Sequence, residues 1–259
     1  MRLALDLSLS GLPVVLNGGG APYDPIAALG ANLLCWWDAD HADLITQAGG
    51  FVSSWADRIT GFALTAAGAM QPQYLATAFN GRPSVVFDGV DDVLTGSGLP
   101  PGVPSGSNPV RMFVLIDQQA PASDTTTNPR LAFAYGGNVA NSRRLQRLAN
   151  TGVNRGEASQ GNGTAGVSAL NRDVDLTGRH VMQAIIAADS VSVVVDNAPV
   201  VTTAVVPATN TDRTRIGGST ASPTSSNYWM GGVAAVLICA FNTPQVQLDG
   251  LHAWLMSRR

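Results

Sequence analysis

The chain reads as an all-β protein, an antiparallel β-sandwich, on three observations. The stretch Asn80 to Leu94, NGRPSVVFDGVDDVL, packs a turn pair, an apolar run, a second turn at Asp88-Gly89 and the next apolar pair into one short segment. Short apolar runs of this kind recur along the chain at the regular spacing of a sandwich. The segments between them are rich in Gly, Pro, Ser and Asn, the residues of turns.

Residues 1–30 form an arm and linker, and 31–259 the domain. Leu3, Leu5, Leu7 and Leu9 alternate with other residues, which is a strand period, and Asn17 to Pro22 is a flexible connection. Met1-Arg2 and the following leucines resemble the start of a secretory signal, but Asp6 interrupts them. A lone strand cannot bury its leucine face, so the arm must pair with its own sandwich, a sister subunit or a different protein.

The domain opens with a buried strand, LLCWWDAD, from Leu33. Phe51 to Trp55 and Phe62 to Thr65 follow as strands, and Pro72 keeps Gln71 to Tyr74 extended. After a loop from Gly96 to Pro109 come the strong strand Val110 to Asp117 and the shorter Leu131 to Tyr135. Ala149 to Asn171 is Gly/Asn/Ser-rich, and no strand can be placed in it. Gly178 to Ala188 and Val191 to Asp196 form a hairpin, continued by Val200 to Val206. Arg213 to Gly217 is short, and Tyr228 to Phe241 is a long strand broken by Gly231-Gly232. A helix closes the chain, capped by Thr243, with Pro244 in its first turn and Leu248, Leu251, Trp254 and Leu255 on one face.

Composition narrows the function classes. Of 259 residues 45% are apolar and only 13% charged, so neutral polar side chains must carry solubility. The net charge is −3 and all fifteen basic residues are Arg, scattered along the chain, which leaves no footprint for nucleic acid. The densest group, Arg143, Arg144 and Arg147, reads as a half-exposed or edge strand. No uncharged run approaches the ~18 residues of a membrane span. Cys35 and Cys239 sit in apolar runs as buried free thiols, with a disulfide open to them if the first and last long strands pair.

Several features in order resemble the laminin-G-like, or concanavalin A-like, domains of bacterial and phage genomes. They are Trp36-Trp37-Asp38-Ala39-Asp40, then Trp55 and Asp57, Pro72 and Tyr74, the NGRP and FDGVDD words, and Ile216-Gly217-Gly218 ahead of YWMGGVAAVLICAF. The resemblance spans Leu33 to Arg259 and implies a two-sheet jelly-roll sandwich in which Trp36, Trp55, Asp88 and Asp92 shape core and turns. One departure is the loop Trp55 to Gly61, which lacks the family's usual Lys-Ser-Gly-Asn-Gly. The resemblance and the arm together point to a structural protein of a phage or phage-like virion, in tail, fibre, spike or head decoration. Such a protein would assemble in the host cytoplasm, contact other virion proteins through Leu3, Leu5, Leu7 and Leu9, form a homo-oligomer, and touch host-surface carbohydrate. The alternative is a secreted or cell-surface carbohydrate-binding module, and the third reading a sandwich glycoside hydrolase.

Catalysis is not expected from the residues. Sandwich glycosidases need two carboxylates, commonly paired Glu, and Glu157 is the one glutamate. Asp88, Asp91 and Asp92 read as turn residues, and His41, His180 and His252 are far apart. Calcium, which such domains sometimes bind, has Asp91 and Asp92 as its candidates, with Asp38 and Asp40 beside them. For sugar binding an aromatic ring with neighbouring amides is needed. Asn227, Tyr228 and Trp229, with Tyr135, Asn138 and Arg143, have that chemistry.

Overall fold

The computed structural model describes residues 23–120, 129–150, 153–220 and 227–259. The chain begins there with a short helix, α1 (Pro25–Leu29), whose first turn is capped by the Asp24 carboxylate. Strands β1 (Leu33–Asp38), β2 (Ile45–Ala48), β3 (Phe51–Ala56) and β4 (Ala63–Thr65) follow. Then come β5 (Gln73–Phe79), β6 (Arg82–Asp88), β7 (Leu94–Ser97), β8 (Val110–Gln118) and β9 (Arg130–Gly136). The next group is β10 (Ser142–Asn150), β11 (Val153–Gly161), β12 (Gly166–Leu170), β13 (Gly178–Ile186), β14 (Ser190–Val195) and β15 (Val201–Ala204). β16 (Arg213–Ile216), β17 (Met230–Ala240) and the helix α2 (Gln245–Arg258) complete the chain.

All strands pair antiparallel, as expected, but not as two separate sheets. One continuous ladder runs β15-β14-β13-β8-β17-β6-β5-β3-β4-β7-β16-β9-β10-β11-β12. β1 attaches to β17 and β2 to β3, making 17 strands in one sheet. The expected two-sheet jelly roll is therefore corrected to a flattened, nearly closed barrel. The reason lies in β3, which pairs with β4 and, through Phe51 opposite Gln73, with β5. Thr65 opposite Thr95 then carries the ladder from β4 to β7. At the far side β12 and β15 meet without a ladder, and the Thr203 hydroxyl donates to the Ser168 carbonyl at 3.0 Å.

The interior is filled by one apolar cluster that includes Trp37, Trp55, Phe87, Phe133, Tyr135 and Trp229. A second cluster lies outside the wall, where Trp36, Phe113, Leu115 and Leu237 meet Leu248, Leu251 and Leu255 of α2. The helical face is the one the sequence predicts. The cap is not: Thr243 donates its hydroxyl backward to the Ala240 carbonyl at 2.6 Å, and Pro244 occupies the N-cap.

Asn80 and Gly81 both have positive φ, 53° and 77°, and join Phe79 to Arg82 as a two-residue hairpin. Three other expectations change. Ala149 to Asn171 contains all of β11 and β12, whose regular ladders survive because backbone bonding, not apolar side chains, sets the register there. Arg143, Arg144 and Arg147 lie on β10, between β9 and β11, and are buried instead of half-exposed. β17 runs unbroken through Gly231 and Gly232; Gly231, at φ 126°, lets the strand pass against the Asp117 carbonyl, where any Cβ would collide.

Leu3, Leu5, Leu7 and Leu9 lie outside the described residues. The last part of the expected linker, 23–30, is packed: Leu29 is buried and Tyr23 stacks 5.8 Å from Trp254. The two cysteines are free and buried, although β1 and β17 do pair. Cys35 is opposite Ile238, so Cys35 faces the interior cluster and Cys239 the outer one. No helix among the described residues is long and apolar enough to cross a membrane.

Candidate functional site

The register of β3, β5 and β6 sets Phe51, Gln73 and Val86 side by side across three strands. Asp88 follows Val86 by two residues and so shares its face. Val93 N–H donates to the Met70 carbonyl at 3.0 Å, which draws the segment Ala69 to Gln71 over this row. The result is a cavity of about 230 Å³ lined by Phe51, Ala69, Gln71, Gln73, Val86, Asp88 and Asp92. Phe51 is 47% exposed although large and apolar, while Asp92 is only 6% exposed. An open aromatic ring, two amides and two carboxylates thus converge on one concavity.

The acidic loop is built by its own backbone. Asp88 Oδ1 accepts from the N–H groups of Val90 (2.7 Å) and Asp91 (3.3 Å), and Asp92 Oδ2 accepts from Asp88 N–H at 2.8 Å. One carboxylate oxygen of each of Asp88, Asp91 and Asp92 lies within 4.8 Å of the others. Burial, helped by the neighbouring Asp88 and Asp91 charges, pushes Asp92 up to about 6. Calcium takes about 6–8 oxygens. The loop offers three carboxylates, two of them already accepting from the backbone. Of the other calcium candidates, Asp38 holds Arg258 and Asp40 holds Arg82 at 2.6 Å, so neither joins this cluster.

The sequence-predicted sugar residues fall at the two ends of β9, about 20 Å apart at ~3.3 Å per residue. At one end Arg143 donates to the Tyr135 hydroxyl (2.8 Å), Gln160 Oε1 (2.9 Å) and the Asn108 carbonyl (2.6 Å), and both side chains are fully buried. Asn138 is exposed beside them and accepts from Ala140 N–H. At the other end the Asn227 carbonyl accepts from Leu131 N–H, the Tyr228 carbonyl accepts from Arg130, and Trp229 is buried in the interior. Phe51, Gln71 and Gln73 enter the sequence reading as strand and extended residues, not as site residues. Their signal was there in part, since Phe51 directly follows the turn glycines Gly49 and Gly50.

Glu157 is buried on β11. Burial raises it, while the side chains of Ser168 and Gln146 and the Arg144 charge partly counter the rise. It is thus part of a closed polar network and not of the cavity. A second concavity of about 340 Å³ lies between α2 and β13, with Arg111, Gln183, Asp249 and His252 on its wall but no Phe, Tyr or Trp.

No protein-family model matches the chain, and no curated protein matches it. Solved structures do share the fold. A Trypanosoma rangeli sialidase with 2,3-difluorosialic acid superposes with TM-score 0.60 at 14% identity, over 93% of this chain and 35% of its own. An arabinofuranosidase complexed with arabinofuranosyl-α-1,2-xylobiose gives 0.53 at 10%, over 80% and 51%. Domain 4 of AbnA, a GH43 extracellular arabinanase from Geobacillus stearothermophilus, in complex with arabinotriose, gives 0.52 at 14%, over 85% and 98%. The chain thus spans about half the arabinofuranosidase, about a third of the sialidase and nearly all of the arabinanase domain. Its fold is one shared with carbohydrate-active glycoside hydrolases. That corrects the expectation of a protein apart from enzymes, and these neighbours lend the laminin-G-like and virion readings no support.

Proposed function

We propose that the protein recognises carbohydrate, through the cavity bounded by Phe51, Gln71, Gln73, Asp88 and Asp92. The observation that carries this is the exposed Phe51 ring set in register beside Gln73, with carboxylates across the same face. Sugars present apolar C–H faces to aromatic rings and hydroxyl groups to amides and carboxylates. The AbnA domain, matched over nearly its whole length and holding arabinotriose in its own structure, supports the same reading. A glycan array that includes arabino-oligosaccharides tests it: wild-type protein is expected to retain a subset of glycans and Phe51→Ala to lose them. Equal retention by both proteins would refute the assignment of the cavity.

Glycoside hydrolysis is a second reading, favoured by the carboxylate spacing. Retaining glycosidases work with two carboxyl groups set near one another, about 5–5.5 Å apart, and in the acidic loop one oxygen of each of three carboxylates lies within 4.8 Å of the others. Asp92, protonated below about 6, would give its proton to the leaving oxygen while Asp88 attacks the anomeric carbon. The resulting ester is then opened by water. Release of reducing ends that disappears in Asp92→Asn would support this reading. Release that persists would remove it.

A further inference from the structure

The groove between α2 and β13 contains a guanidinium that no carboxylate of the described residues neutralises. Its floor is built by register: Arg111 of β8 lies opposite Ile185 of β13, and Gln183 of β13 opposite Val194 of β14. Leu248 and His252, one turn apart on α2, border it. Arg111 is half-buried, and burial pulls its guanidinium below the usual arginine range. Its Nε donates to the Phe241 carbonyl at 3.2 Å. The two Nη groups have no hydrogen-bond or ion-pair partner among the described residues. Two carboxylates also line the groove, but both are engaged elsewhere. Asp196 meets His180 Nδ1 at 2.7 Å, accepts from Val181 N–H at 2.9 Å and pairs with Arg259. Asp249 accepts from the Gln245 amide at 2.8 Å.

A guanidinium partly withdrawn from water is stabilised by an opposite charge beside it. Its two terminal N–H groups match the two oxygens of a planar carboxylate. A single unpaired guanidinium near two carboxylates suits one negative charge, not the two of a phosphate. Ile185, Val194, Val200 and Leu248 offer aliphatic surface to the rest of such a molecule. At about 340 Å³ the groove is within the ~300–1,000 Å³ of small-molecule sites. We infer that it is a second binding site, for a small aliphatic monocarboxylate whose oxygens are received by Arg111 Nη1 and Nη2 while its hydrocarbon lies on Ile185, Val194 and Val200. It shares no residue with the Phe51 cavity and does not rest on the carbohydrate reading.

Titration calorimetry on the full chain can compare three probes: isocaproate, the uncharged isocaproamide of the same shape, and inorganic phosphate. A charge-assisted pair predicts that isocaproate binds about tenfold or more tightly than the amide. The gap should narrow as salt rises and close in Arg111→Gln. Val200→Asp, at a side chain 55% exposed, sets a like charge in the lining and should also weaken isocaproate, which keeps the test open should Arg111→Gln not fold. Equal affinity for acid and amide, tightest binding of phosphate, or isocaproate binding unchanged in either variant overturns the inference. So does absence of isocaproate binding.

Discussion

Arg258 and Asp38, 220 residues apart, form a bidentate pair inside the protein: Nη1 donates to Oδ2 at 2.9 Å and Nη2 to Oδ1 at 2.7 Å. Both side chains are essentially buried, at 2% and 1% exposure. The pair fastens the last turn of α2 to the end of β1, and Arg258 Nη2 also reaches Asp40 at 3.1 Å. Arg258→Ala strands a buried carboxylate, for which about 3–5 kcal/mol of destabilisation is expected. Urea unfolding should show this as a lower midpoint at unchanged slope. A loss under 1 kcal/mol would mean that water reaches Asp38 once the guanidinium is gone.

Asp57 organises the loop where the laminin-G-like pattern breaks down. Its Oδ1 accepts from the N–H groups of Ile59 (2.8 Å) and Thr60 (3.1 Å). Its Oδ2 accepts from the Thr60 hydroxyl (2.6 Å) and Phe62 N–H (2.9 Å). With the carboxylate 1% exposed, Asp57→Ala leaves several donors unpaired and is expected to destabilise by about 2–4 kcal/mol. Asp57→Asn keeps acceptors on one side only and should fall between the two, as thermal melts would reveal.

Asp92 predicts an inverse pH response. Its folded value, raised to about 6, lies above that of an ordinary unfolded aspartate. The folded state therefore holds the proton more tightly. Its contribution to stability is unfavourable above about 6, and stability is gained as pH falls from there towards about 4. Asp196 has the opposite sign. The His180 and Val181 hydrogen bonds and Arg259 hold it below its ordinary value against the opposing effect of burial. Its contribution is full above the unfolded value and is lost as pH falls through the folded one. Asp92→Asn should remove the gain between pH 6 and 4 and leave the loss at lower pH in place. Chemical denaturation across that range separates them, and an unchanged profile in Asp92→Asn would rule out the Asp92 assignment.

Gly231→Ala should destabilise the barrel by several kcal/mol, on the order of 3, because its Cβ meets the Asp117 carbonyl and its φ of 126° suits only glycine. Gly102→Ala serves as the comparison, since its positive φ is strained but nothing lies within 4 Å of the added carbon. Comparable losses in both would show that backbone strain, not the collision, dominates.

The sequence made much of this fold legible where local chemistry decided it. Asn80-Gly81 could take positive φ at both positions and did; Leu248, Leu251 and Leu255 fell on one helical face and were buried. Closure was illegible because it depends on two single pairings, Phe51 with Gln73 and Thr65 with Thr95, which leave no pattern in either strand. The β10 arginines were misread since their burial rests on partners distant in sequence, such as Thr209 for Arg143 at 3.1 Å. The site was half legible. The aspartates stood out as turn formers, but the register that sets Phe51 and Gln73 beside them is a tertiary fact.

The seam between β12 and β15 has a further consequence. Open sheets commonly protect their borders with lysine, and this chain has none. Here two polar strand borders face each other, joined by Thr203 and Ser168, so each hides the other from neighbouring molecules. A variant that parts the seam would turn a nearly closed barrel into a ribbon with two adhesive ends.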